Sequence, residues 1–154
     1  LLMELQTERL MLIPCTEEAL HSSAPADDYE IGPHISMYIT ELKEDPTLTG
    51  WGVWLVIEKQ TRSIIGDIGF KGKPDANHTV EIGYGIVPSA QNKGYATEAV
   101  RALIDWAFSF DHVKTIVAEC LEDNVASIKV LEKVQMQRTA LEKNMVKWAL
   151  KKEG

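Results

Sequence analysis

The chain has 154 residues, 45% hydrophobic and 25% charged, which suits one globular domain with a buried core. Its formal charge of −7, from 23 acidic against 16 basic residues, comes with no basic run, which argues against nucleic acid as a partner and mildly favours cationic partners such as amines. No apolar run approaches the roughly 20 residues of a membrane span and no charged-then-apolar leader opens the chain, so the expectation is a cytoplasmic protein with no membrane partner and with Cys15 and Cys120 reduced and buried.

In chain order, Leu5 to Ile13 alternates as a first strand, stopped by Pro14. Thr16 followed by Glu17 and Glu18 has the form of a helix start, with a hydroxyl cap and acids in the first turn. His21 to Glu30 is polar and assigns to no element. Pro33 suits the first position of a helix through Glu44, with Ile35, Tyr38, Ile39 and Leu42 at helical spacing, and Asp45-Pro46 ends it. Gly52 to Lys59, Ile64 to Lys71 and Thr79 to Val87 are apolar-rich runs joined by short polar turns, which reads as an antiparallel meander. From about Gly94 to Phe110, Ala96, Ala99, Val100, Leu103, Ile104 and Ala107 form the buried stripe of an amphipathic helix. A strand from Lys114 to Leu121, a short helix from Val125 to Lys133 and a last strand from Glu142 to Leu150 complete the chain, and the strand–helix–strand succession permits parallel pairing of the Thr79 and Lys114 strands.

The segment with most chemical content joins the third meander strand to the long helix. A helix start leaves its first backbone N–H groups unpaired and carries the positive end of the helix dipole, so an anion docks there without dedicated side chains. Gly94 lets a ligand approach the backbone, Ala96 keeps the first turn slim, and Lys93 adds positive charge at the mouth. The stretch Gln91, Asn92, Lys93, Gly94, Tyr95, Ala96, Thr97 is therefore a phosphate cradle.

Gln91-x-x-Gly94-x-Ala96 resembles the acetyl-coenzyme A signature of the GNAT N-acetyltransferases, and Asn124-x-x-Ser127 resembles a second landmark of that family. The opening Leu5-Gln6-Thr7-Glu8-Arg9-Leu10-Met11-Leu12 is similar to the Thr-Glu-Arg-Leu-x-Leu start of the branch that includes the ribosomal-protein N-terminal acetyltransferases. The resemblance covers the whole chain, taken as a single domain over residues 1–154. It implies the acyl-CoA N-acyltransferase fold: α/β, with a mixed, mostly antiparallel twisted sheet of six or seven strands, helices on both faces, and a splay between the two parallel central strands. The implied activity is direct transfer of acetyl from acetyl-CoA to a primary amine, a protein N-terminus or a small amine. Acetyl-CoA is then the cosubstrate, without a metal, and a homodimer remains open.

On that resemblance the cradle binds the cofactor's pyrophosphate, backbone N–H groups near Ile86 and Val87 polarise the thioester carbonyl, and Asn124 and Ser127 meet the pantetheine arm. Glu81, ten residues before Gln91, resembles the family's general base. An amine of pKa near ~10 must lose a proton before it attacks, and a partly buried carboxylate with a raised pKa can take it, directly or through water. Glu81 shares its strand face with Gly83 and Gly85, whose pattern signals a bulge or a ligand against the backbone. The ordinary alternative is a solvated or ion-paired strand glutamate. Glu119, five residues before Asn124, is the second candidate base.

The tyrosine that many members carry seven residues beyond the landmark Asn is here Leu131, and the Gly-Phe pair after that helix is here Gln135-Met136. Ser127 or water would then assist the departing thiolate, itself a tolerable leaving group at a pKa near ~8.5. That departure keeps a rival open, a non-catalytic acyl-CoA-binding module. Asn124 equally suits a helix cap. The four histidines lack ligand spacing, and Pro88 stands where a dinucleotide fingerprint beginning at Gly83-Tyr84-Gly85 requires its third glycine. Asp27, Asp28, Glu30, Glu41, Glu44 and Asp45 suggest an acidic acceptor cleft, or merely a solvated face.

Overall fold

A computed structural model describes residues 3–153. In chain order it contains β1 (Leu5–Gln6), β2 (Leu10–Pro14), α1 (Glu17–Ser22), β3 (Ala24–Pro25), α2 (Pro33–Glu44), β4 (Val53–Glu58), β5 (Ser63–Phe70), β6 (Thr79–Ile86), α3 (Tyr95–Phe108), β7 (Thr115–Leu121), α4 (Val125–Lys133), β8 (Gln137–Glu142) and β9 (Met145–Lys151). Single 3-10 turns cover Pro46–Leu48 and Pro88–Ala90. The strands run β1-β2-β4-β5-β6-β7-β9-β8, with β3 beside β5. Seven of them have five residues or more, and β1 and β3 are two-residue strands. The pairs β3–β5 and β6–β7 are parallel and the rest antiparallel. No helix among the described residues is long and apolar enough to cross a membrane.

The alternation of strand side chains divides the core in two. Trp54 and Val56 of β4, with Val80 and Ile82 of β6, face α3, whose Ala99, Val100, Leu103, Ile104 and Ala107 are buried against them. Leu55 and Ile57 point to the opposite face and meet Ile35 and Tyr38 of α2 in a smaller cluster with Cys15 and Ile64. Burial pushes the Cys15 thiol up to about 12, aided by the nearby Asp67 charge, so this cysteine is inert at neutral pH.

Two sequence expectations need correction. Leu5 to Ile13 is not one strand: the chain turns at Thr7-Glu8 and folds β2 back on β1, pairing Leu5 with Leu12. Glu142 opens no strand; it ends β8, a strand that carries no alternation because all six of its residues are exposed. Lys143 (φ 49°) and Asn144 (φ 69°) make the two-residue turn into β9, both in the left-handed region that such hairpins require.

The Thr7–Arg9 turn is pinned from α3. Glu98 accepts from Thr7 Oγ1 (2.5 Å), from the Arg9 backbone N–H (2.9 Å) and from Arg9 Nε (2.8 Å). Arg9 Nη1 donates to the Lys93 carbonyl at 2.8 Å, and the guanidinium carbon lies 4.3 Å from the Tyr95 ring centroid. Burial raises the Glu98 carboxyl, but the Thr7 and Arg9 hydrogen bonds outweigh it and bring the group below its ordinary 4.5. A carboxylate with a lowered folded-state pKa stabilises the fold above its unfolded value, and the contribution disappears as pH falls through the folded value. Glu98→Gln should therefore cost on the order of 1.5–3 kcal/mol at pH 7, the range for hydrogen bonds to a charged group. The difference from the parent should shrink below about pH 4, since unfolded glutamate titrates near ~4.3. Urea unfolding from pH 3 to pH 7 measures this; a constant difference across the range would show that the Glu98 charge does not contribute.

Candidate functional site

The turn between β6 and α3 is built to leave donors free. Ala90 and Gln91 N–H groups close the 3-10 turn onto the Val87 and Pro88 carbonyls, after which Asn92 (φ 63°) and Gly94 (φ 83°) take left-handed conformations. Gly94 is the N-cap of α3 and offers no side chain, so the first donor inside the turn is Glu98 N–H, which bonds to Gly94. Among the described residues the N–H groups of Asn92, Lys93, Gly94, Tyr95, Ala96 and Thr97 have no acceptor. Six unpaired donors lie at the positive end of a 14-residue helix, with the Lys93 side chain exposed beside them, an arrangement that can chemically accommodate an anion. A Cβ on Gly94 would lie 3.3 Å from Arg9 Nη2, so the guanidinium backs the cradle from beneath. Ser89 ties the other end of the turn down, its N–H and Oγ each donating to Asp28 at 2.8 Å. Gln91 turns inward, its Nε2 donating to the Ile86 carbonyl at 2.9 Å and stitching the cradle to the end of β6.

Beside the cradle the sheet opens. β6 and β7 pair only at Thr79–Thr115, Val80–Ile116 and Glu81–Val117. β6 continues to Ile86 along β5 alone. Lys71 N–H donates to the Glu81 carbonyl and Val87 N–H to the Ile65 carbonyl, so odd-numbered residues of this strand bond toward β5. Tyr84 and Ile86 consequently direct their N–H groups into the gap. Of the two residues expected to polarise a carbonyl, Ile86 faces the opening, whereas the Val87 N–H is spent on Ile65 at 2.8 Å. Across the gap, Asn124 Oδ1 accepts from Ser127 N–H at 3.1 Å and caps α4. The Tyr84 hydroxyl reaches the Ser127 carbonyl at 3.4 Å, and Leu131 is the buried residue of α4.

The two glutamates lie on the sheet face opposite α3. Glu81 Oε2 pairs with Lys71 Nζ at 2.7 Å, and Glu119 pairs with Lys147 across the β7–β9 ladder. A hydrogen bond from Lys147 holds the Glu119 carboxyl below the usual glutamate range, against a smaller opposing push from burial. Glu81 also raises the Lys147 ammonium, and Lys71 helps to lower Glu119, so the four charges share one neighbourhood at the closed end of the gap.

The same face carries a cavity of about 770 Å³ between α2, β4, β5 and β6. Gly83 and Gly85 form its β6 wall, with open space where each would carry a Cβ. The sequence marked these two glycines for a bulge or for a ligand against the backbone, and the structure places both on the wall of this open space. Not legible were Arg9, whose partners stand more than 80 residues away, and Tyr84, whose hydroxyl crosses the gap. The acids grouped as a cleft disperse: Asp28 holds Ser89, Asp45 accepts from Thr47 and Lys73, and Glu41 lines the cavity. No group of three or more His, Cys, Asp or Glu suited to a metal occurs among the described residues.

The fold has known counterparts. It superposes on ribosomal-protein-S5-alanine acetyltransferase from Vibrio fischeri with a TM-score of 0.76 at 17% identity, covering 97% of this chain and 96% of that one. RimL, the ribosomal L7/L12 alpha-N-protein acetyltransferase, in complex with coenzyme A gives 0.76 at 18% identity over 97% and 98%. In sequence, the uncharacterized N-acetyltransferase YjdG of Bacillus subtilis is 42% identical over 85 residues, 55% of this chain and 51% of its own length. The chain thus spans about half the length of the curated relatives it matches. The family model for the acetyltransferase (GNAT) domain matches residues 9–137, from the arginine behind the cradle to the first residue of β8, and the chain belongs to the GNAT acetyltransferase family.

Proposed function

We propose that the protein moves an acetyl group from acetyl-CoA to a primary amine by direct transfer. The observation that carries this reading is the run of six unpaired N–H groups from Asn92 to Thr97 opening onto a gap between two parallel strands. Those donors and Lys93 match the doubly charged pyrophosphate, while the Tyr84 and Ile86 N–H groups suit the amides of a pantetheine arm. A family neighbour of the same fold is known with coenzyme A.

When bound, the cosubstrate supplies an acyl carbon activated as a thioester. Ile86 N–H polarises the acyl oxygen as negative charge grows there, a donor fixed by the strand and needing no reorganisation. Glu81 accepts the proton that the amine sheds, directly or through one water, and passes it to solvent. The nitrogen–carbon bond forms as the carbon–sulfur bond breaks, sulfur keeps the electron pair, and Ser127 or water delivers its proton. Glu119 is the second candidate for the base; each of the two carboxylates carries a lysine partner, Lys71 on Glu81 and Lys147 on Glu119, so the ion pairs do not rank them. Asn124 holds the first turn of α4 toward the arm by capping it. One observation favours the rival reading of a non-catalytic acyl-CoA-binding module: Leu131 offers no hydroxyl for the departing sulfur. Thiol release in the presence of amines separates the two.

Replacing Gly94 should weaken cofactor affinity, since valine in a left-handed conformation costs ~1–2 kcal/mol and projects toward Arg9. Calorimetric titration with acetyl-CoA should show at least a tenfold loss for Gly94→Val and a smaller one for Gln91→Ala. Unchanged affinity in a Gly94→Val protein with parental circular dichroism would refute the cradle.

Glu81→Gln should lower turnover by ~10²–10⁴-fold, the usual contribution of a general base, while acetyl-CoA affinity stays within a few-fold. If Glu119→Gln does this and Glu81→Gln does not, the base is Glu119.

A further inference from the structure

The turn at Thr7-Glu8-Arg9 takes no part in the transfer step, yet its side chains reach the cradle. Arg9 divides its guanidinium among three neighbours. Nε donates to Glu98 Oε1 at 2.8 Å, Nη1 donates to the Lys93 carbonyl at 2.8 Å, and the guanidinium carbon lies 4.3 Å from the Tyr95 ring centroid. Glu98 keeps the arginine in that pose, because its other carboxylate oxygen accepts from the Arg9 N–H at 2.9 Å and from the Thr7 hydroxyl. The carbonyl that Arg9 takes belongs to the same peptide group as the Gly94 N–H. In a trans peptide the two point opposite ways, so anchoring the oxygen aims the Gly94 N–H, one of the six unpaired donors, away from Arg9. A cationic donor on the oxygen also polarises the amide and strengthens its N–H as a donor. The turn needs such a hold: Asn92 (φ 63°) and Gly94 (φ 83°) are both left-handed, which is costly for a residue with a side chain such as Asn92. Glu98 pairs with the guanidinium and offsets its long-range field, so the local bond to Lys93 is the route by which Arg9 acts on the cradle.

We propose that Arg9 is a positioning residue for the cosubstrate: it holds the Lys93–Gly94 peptide so that the cradle is already formed when the pyrophosphate of acetyl-CoA arrives. This rests on the acetyl-transfer reading as far as coenzyme A binding at the cradle. The apparent dissociation constant rises in inverse proportion to the fraction of molecules whose site is ready. Loss of Arg9 therefore weakens binding of a donor that carries the pyrophosphate and leaves the chemistry of the bound complex alone. Lysine is a partial substitute, because a single ammonium nitrogen lacks the fixed fork that bonds Glu98 and Lys93 together and the flat face that stacks on Tyr95.

Calorimetric titration with coenzyme A, and steady-state rates with two acetyl donors, test this. Acetyl-CoA carries the pyrophosphate and S-acetylpantetheine lacks it. Arg9→Met should weaken coenzyme A affinity about fivefold or more, and Arg9→Lys by a smaller factor of about twofold or more, as the ready fraction falls. With acetyl-CoA, Arg9→Met should raise KM by a like factor while kcat stays within about twofold; with S-acetylpantetheine, kcat/KM should stay within about twofold of the parent. Arg138→Met removes another guanidinium from an aromatic ring, 5.2 Å from the Trp148 centroid at the β8 edge of the sheet, and should change none of these readings. Unchanged coenzyme A affinity in a folded Arg9→Met protein would overturn the proposal. Equal losses with both donors would also overturn it, and would mark Arg9 as support for the fold at large. If Arg9→Met does not fold, Arg9→Lys carries the same readings. If the parent binds coenzyme A but no amine releases thiol, the transfer reading fails, and titrations with coenzyme A and with pantetheine decide the role of Arg9 by the same selective loss.

Discussion

The structure depends on one interrupted ladder. β6 and β7 bond for three residues and then part, though both strands continue. A sheet gains from every backbone pair, so leaving the Tyr84 and Ile86 N–H groups unmatched is a cost, and the surroundings hold the strands apart. On the β6 side, β5 pairs with Ile82 through Ile86; on the β7 side, seven register pairs with β9 hold the strand. Each side of the gap is thus held by its own outer neighbour, β5 on one side and β9 on the other.

The cradle is held with equal economy. Its donors are free because Gly94 and Asn92 turn left-handed, and that geometry needs support from outside the turn. Arg9 provides it by bonding the Lys93 carbonyl, packing on Tyr95 and pairing with Glu98 one turn into α3. Thr7 and Glu98 fix Arg9 in turn. A short hairpin at the start of the described chain thereby sets the shape of a loop more than 80 residues later.

Much of this was legible in the sequence, for reasons that can be named. α3 was visible because its apolar residues recur at helical spacing, and the cradle because a glycine, a lysine and a small residue converge on a helix start. Thr16 and Pro33 marked helix starts through their own backbone chemistry, and the structure uses both. β8 was hidden since an edge strand with six exposed residues carries no alternation. The break between β1 and β2 had a mark that the single-strand reading passed over, the run of four polar residues Gln6-Thr7-Glu8-Arg9 that interrupts the alternation. The acidic residues misled as a group: charge counts say nothing of partners, and Asp28 and Asp45 were already engaged by local N–H and hydroxyl groups.

An open strand edge is ordinarily an invitation to foreign strands, which add themselves to any free row of N–H and C=O groups. The gap in this sheet holds such a row inside the molecule. It narrows to the paired residues at Glu81 and Val117, and the Tyr84 hydroxyl contacts the first turn of α4 across it. A flexible thread fits such a slot, whereas a second polypeptide strand would need a straight edge on each side and room for side chains above and below. By this geometry the wedge suits a narrow chain better than an added strand.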